Sequence, residues 1–485
     1  MSKTPNLQTD YPTPLWQLWC IFFAYTALIA LLVQLVLLPY IFSGWHAGHG
    51  LLLGGDWIWF HQMAVEMTQK IHTQGWSAWE LRPKDQAPVG IAAAIYALTV
   101  PQPWVLIPLN AALHATAGIL LLRIIQVFLP KWKLAIWCIL PFLVYPSAMT
   151  WYTQIHKDGF FIAGNLLFLY GWITLAQLKT WSCRWWRLFL AILWMLLGSV
   201  LVWLVRPYGV QMMQAAGVVL AIGFTCIFAW RGIQAKLPWR KALIGMLVMW
   251  ALLFLISPLT QGGIQPGVSR VVPRAVTKKA VPKKAVLKRA VPKKAVLKKA
   301  VPKKAVPKLV WHKSQWLPDF LESKLYGVAA SRHGFIRGSP KAGSNIDVQT
   351  NFTRAWDIIA YVPRATQIAF LAPFPNQWFG QGTLGTNTMM RRLSALEMTG
   401  VYLALIFLPY TLWHWRQRLE VWVILVFCAS LMIVYTLAIP NIGTIYRMRY
   451  GFIMTLVALG IAGALAAGKQ FSLRQQVQQS KQSLE

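Results

Sequence analysis

WQLWCIFFAYTALIALLVQLVLLPYIF, residues 16–42, decides the class of fold. It holds no charged residue, and as a helix it would span about 40 Å, more than the roughly 30 Å of a bilayer's hydrocarbon core. It is too long for a signal-peptide core and is followed by no small-residue cleavage site, so it reads as a retained first span. Further runs of the same character fall at 104–128, 134–150, 159–178, 186–205, 208–230, 241–258, 396–414, 420–439 and 450–468. Charged residues make up 12% of the chain, against about 25% in soluble domains.

The segment Pro88 to Val100 is short for a crossing, and loop charge decides how to treat it. If it does not cross, Lys131/Lys133, Lys179/Arg184/Arg187, Arg231/Lys236/Arg240/Lys241, Arg416/Arg418 and Lys469/Arg474/Lys481 all share one side. By the positive-inside rule that side is cytoplasmic and holds both termini. The expectation is therefore an all-α polytopic membrane protein of about ten full spans plus one re-entrant or half-length segment, with interfacial helices and a long outer loop. Its parts are a transmembrane module over 1–258 with a first outer loop at 43–103, an extracytoplasmic loop over 259–395, and a C-terminal module over 396–485.

The net charge of +34 is partly local. Residues 274–308 are seven pentads of the type KAVPK with fourteen basic residues and no acid, which leaves +20 for the rest. Period five fits neither a helix face nor a strand face, so the tract is expected to be disordered and solvated. The remaining basic excess suits anionic lipid head groups or phosphate-bearing substrates, and nothing points to nucleic acid. The five cysteines lie in or beside apolar runs with no pairing or metal-ligand pattern. GxxxxGK[ST], HExxH and CxxC motifs are absent.

This topology gathers ionisable residues at the outer membrane edge, where their cost makes them site candidates. Asp56 follows Gly54-Gly55 and precedes a helix over 57–72 whose Phe60, Met63, Met67 and Ile71 recur on one face, as in a helix lying in the headgroup region. Asp158 likewise precedes a span. Capping alone would account for an aspartate at either place. His156 and Lys157, with Arg206, Arg447 and Arg449, could neutralise a phosphate; two arginines at i and i+2 could grip a diphosphate from either side. Glu66, Trp57 and Trp59 are candidate contacts to an acceptor or a sugar ring, although tryptophans at this depth also form interfacial belts. His46, His49 and His61 read as surface histidines, with no carboxylate spacing to make a metal site.

A first span followed by an outer loop with an early acid (Asp56), and a later loop with Lys157-Asp158, resembles the GT-C superfamily of integral-membrane glycosyltransferases. Asn441-x-Gly443-Thr444-x-x-Arg447-x-Arg449 is similar to a motif of bacterial polysaccharide-assembly membrane proteins. The resemblance covers the topology of most of the chain, but the pentad tract has no counterpart in it and no DxD pair is present. It implies a bacterial inner-membrane enzyme that transfers sugar, with inversion, from a polyprenyl-phosphate-linked donor to a glycan, lipid or protein acceptor in cell-envelope polysaccharide assembly. Asp56 would be the base, Asp158 would orient the acceptor or that base, and Lys157, Arg206, Arg447 and Arg449 would hold the phosphate. No cofactor is required by the sequence, and a divalent metal is left open. Two alternatives stand beside it: a polysaccharide polymerase or ligase of the O-antigen type, faintly suggested by Arg332 and Gly343, and a non-enzymatic lipid or glycan transporter or assembly scaffold.

Overall fold

The computed structural model describes residues 14–177, 185–234, 239–260, 309–338, 340, 342–382 and 385–482; the pentad tract 274–308 lies outside them. Among the described residues the chain is helical, without a β-strand. Helix α1 (Leu15–Leu32) runs on through π-helical turns to Ile41, where the wider turn accommodates Pro39. Then come α2 (Trp57–Gln74), α3 (Ala87–Leu98), α4 (Ile107–Gln126), α5 (Trp132–Val144), α6 (Pro146–Tyr152), α7 (Asp158–Ala176), α8 (Trp185–Val205), α9 (Pro207–Ile233) and α10 (Trp239–Leu255). The second half holds α11 (Asp319–Gly338), α12 (Ala355–Leu371), α13 (Gly385–Ile406), α14 (Leu408–His414), α15 (Leu419–Ala438), α16 (Ile442–Met448) and α17 (Tyr450–Gln482).

Eight helical segments among the described residues are long and apolar enough to cross a membrane, or nine if one bent pair counts as a span. The expected ten are therefore not all present as straight crossings. The run 134–150 breaks into α5 and α6, inclined at 64°. Pro146 is the reason: the residue before a proline is pushed out of the helical region, and Tyr145 sits at φ −60°, ψ 122°. The run 241–258 falls on α10, whose 17 residues leave it outside that count. As expected, 88–100 forms a helix of only 12 residues, α3.

The bundle core is continuous across α4, α5, α7, α15 and α17. Between α7 and α8 the backbones approach so closely that a methyl on Gly164 would stand 2.7 Å from the Gly198 carbonyl oxygen. The apolar stripe of α2 is buried as its spacing predicts, and the surface it covers is α3, through Val89, Ala92, Ala93 and Tyr96. His61, expected among the polar positions, is buried too, with Nδ1 3.0 Å from the Tyr96 hydroxyl. Burial, with His49 nearby, lowers its pKa to about 4. Helix α12 packs on α15 and α11 and ends at the Ala372–Pro373 turn.

Candidate functional site

A cleft of ≈ 590 Å³ is lined by Asp56, Ser147, Ser344, Arg391, Asn441 and Arg447, among others. These residues come from the turn before α2, from α6, from the 342–350 loop, and from α13 and α16, so five distant parts of the chain meet here.

Local structure explains how each arrives. Gly54 adopts φ 93°, and a side chain on Gly55 would strike the indole of Trp57, which folds back to donate to the Leu52 carbonyl at 2.5 Å. This tight turn presents Asp56 just before α2. Its carboxylate makes no capping hydrogen bond and is exposed, so the capping explanation fails for this residue. At the other wall, Asn441 caps α16 by accepting the Thr444 N–H at 3.0 Å. The same side chain donates to Ser344 Oγ at 2.8 Å and Asn345 Oδ1 at 2.9 Å. Asn441 therefore caps α16 and docks the long loop onto the bundle, and Arg447 of α16 lines the cleft.

Behind Arg447 lies a buried chain of charge. Arg447 Nη1 is 2.6 Å from His156 Nε2, His156 Nδ1 is 2.8 Å from Asp158 Oδ2, and Arg206 Nη2 donates to Asp158 Oδ1 at 2.7 Å. A guanidinium only donates, so Arg447 makes Nε2 an acceptor, while Nδ1 lies between Asp158 Oδ2 and the Asp158 backbone N–H, which is 3.3 Å away. Burial lowers the pKa of His156, and the neighbouring Arg447 and Arg206 act in the same direction against Asp158. Lys157 is lowered to about 8, chiefly by burial and then by Arg206, with Asp56 and Asp158 opposing. Asp158 is the first residue of α7 and 1% exposed, and both its oxygens face this cluster.

The candidates thus separate. Asp56, Trp57 and Arg447 line the cleft. His156 supports Arg447, and Asp158 with Arg206 supports His156. Lys157 lies outside the lining but within electrostatic reach of Asp56. Trp59 and Glu66 are exposed along α2 and do not line the cleft.

Arg449 is elsewhere. It is 1% exposed and donates to the Ile368, Ala369 and Ala372 carbonyls at the end of α12. Positions i and i+2 on a helix lie about 200° apart, so Arg447 and Arg449 cannot face one ligand. Arg332 is also enclosed, 2% exposed between Phe352 and Tyr361, where it donates to the Asp347 and Thr350 carbonyls. Gly343 lines the cleft without it.

Two residues escaped the sequence reading. Arg391 lines the cleft and donates to the Gly343 carbonyl. Glu397, 3% exposed, binds Ser147 and Tyr446, which both line it. Glu397 was findable as an acid inside an apolar span, Leu396-Glu397-Met398, whereas Arg391 carries no such signal.

Among the described residues no group of three or more His, Cys, Asp or Glu is placed to hold a metal. His46 accepts from the Gly50 N–H and His49 pairs with Gln102. Among the described residues the cleft offers one exposed carboxylate, two guanidinium groups and several neutral hydroxyl and amide groups. This set can take a proton and hold an anion. Comparison with protein-family models, curated proteins and solved structures returned no match to this chain.

Proposed function

We propose that the cleft is an extracytoplasmic site for glycosyl transfer from a polyprenyl-phosphate-linked sugar to a glycan, lipid or protein acceptor of the cell envelope. The observation that carries this reading is the meeting of Asp56 with Arg391 and Arg447 in one cleft. The cavity lies within the usual range for small-ligand sites, about 300–1,000 Å³. The donor phosphate rests on Arg447 and Arg391. Asp56 takes the proton of the acceptor hydroxyl as its oxygen bonds to the anomeric carbon. The bond from that carbon to the phosphate oxygen breaks, and its electron pair leaves on the phosphate, whose growing charge Arg447 offsets. The prenyl chain stays in the bilayer, beside the spans that form the cleft. The two termini and the basic loops face the cytoplasm.

Transfer of labelled sugar from synthetic polyprenyl-phosphate donors to envelope glycan, assayed in membranes, tests this. Asp56→Asn is expected to lower transfer by about 10²–10⁴. Arg447→Gln is expected to weaken donor binding as well. Wild-type transfer by Asp56→Asn would remove the carboxylate from the reaction.

A further inference from the structure

Glu397 lies in a span and does not line the cleft, yet it controls two groups that do. Its Oε1 accepts the Ser147 backbone N–H at 2.8 Å. Its Oε2 accepts the Ser147 hydroxyl at 2.5 Å and the Tyr446 hydroxyl at 2.5 Å. Each hydroxyl has a single proton, and here both protons point inward at the carboxylate. To a ligand in the cleft that Ser147 and Tyr446 line, hydroxyls held in this way can offer only lone pairs.

We propose that Glu397 is a positioning residue that makes this wall an acceptor-only subsite for the free hydroxyls of a glycosyl unit; this rests on the glycosyl-transfer reading. Arg391 and Arg447 offer the complement, since guanidinium groups only donate. A fitting ligand must bring acceptors to the arginines and hydroxyl protons to Ser147 and Tyr446. A phosphate ester of a sugar with unblocked hydroxyls does both, whereas a prenyl phosphate alone does only the first.

Substitution at Glu397 gives a sharp consequence. In Glu397→Gln the Ser147 N–H still requires an oxygen opposite it, so the amide oxygen takes the Oε1 place and the NH₂ takes that of Oε2. That NH₂ donates to both hydroxyls and releases their protons toward the cleft. The wall then donates, and it accepts fluorine where the wild type demanded a hydroxyl.

The test titrates the purified full chain by calorimetry with farnesyl phosphate, with its glucosyl, galactosyl and mannosyl esters, and with monodeoxyfluoro analogues of those esters. The wild type is expected to bind at least one hexosyl ester more tightly than farnesyl phosphate. It should also prefer hydroxyl over fluorine at one or more ring positions by about threefold to tenfold. Glu397→Gln should erase that preference while its unfolding midpoint and its affinity for farnesyl phosphate stay near wild type. Tyr446→Phe and Ser147→Ala should each lower hexosyl affinity by a similar factor, and they carry the test if Glu397→Gln does not fold. An unchanged hydroxyl-over-fluorine ranking in Glu397→Gln, or unchanged hexosyl affinity in both other variants, would overturn the inference. So would a wild type that binds farnesyl phosphate and gains nothing from a hexose, although phosphate recognition would then survive. Binding of none of these ligands would overturn the glycosyl-transfer reading itself.

Discussion

The mouth of the cleft and the cluster behind it are built from the same residue types. At the mouth, Asp56 is exposed and Arg447 lines open space. Behind it, Asp158 and Arg206 are 1% and 7% exposed and are joined at 2.7 Å, with His156 bridging to Arg447. A charge in a low-dielectric interior is tolerated only when paired, so the inner aspartate is committed to its partners. The outer aspartate carries no such commitment. Exposure, more than residue type or place at a helix start, separates the two. The two arginines of the C-terminal motif divide in the same way, Arg447 toward the cleft and Arg449 into the carbonyls that end α12.

The largest effect expected from this division is on stability. Asp158→Asn removes the counter-charge of a buried guanidinium and should cost about 3–5 kcal/mol, read as a lower midpoint in thermal unfolding. Asp56→Asn should leave that midpoint unchanged while transfer collapses. If the two variants unfold alike, the contrast between mouth and cluster is broken. Next is Arg449→Met, which abandons three carbonyls and should cost about 1.5–3 kcal/mol, with donor affinity reduced little in whatever fraction stays folded. Arg449 as a phosphate ligand would show the reverse: a stable protein that no longer holds the donor.

A smaller effect appears with pH. The folded-state pKa of His156 is lowered, so its contribution to stability is full above its ordinary value near 6.5. That contribution is lost as pH falls from there toward the lowered value. Protonation would also set two donors, Nε2–H and Arg447, against each other. The unfolding midpoint should therefore drop between pH 7 and pH 5. The slope should flatten in His156→Gln without vanishing, since the pKa of His61 is lowered too. An identical slope in the variant would show that His156 does not report on the cluster.

Much of the fold was legible because hydrophobic run length answers a single physical question, whether a helix can cross a bilayer. The exceptions arose where that question is not the only one. Pro146 breaks a run that length alone would make one span, and α2 buries its apolar face on α3. Asp56 and Arg447, which line the cleft, were legible as candidates because ionisable groups are costly at a membrane edge. Glu397 was visible but overlooked, an acid within a run read for its length. Arg391 was not legible, since one more arginine in a stretch expected to be loop gains meaning only when the chain brings it beside Gly343. Arg449 was misjudged because spacing in sequence was read as nearness in space, which a helix contradicts at i and i+2.

The smallest effect marks where the site stops along α2. Glu66 and Trp59 are exposed, and neither lines the cleft. Substitution at such positions ordinarily shifts stability by no more than about 0.5 kcal/mol. Glu66→Gln and Trp59→Ala should therefore both unfold and transfer sugar as the wild type does. A tenfold loss of transfer in Glu66→Gln at an unchanged midpoint would mean that the acceptor lies along the exposed side of α2. The mouth would then reach beyond the cleft, and its single free carboxylate would become a pair.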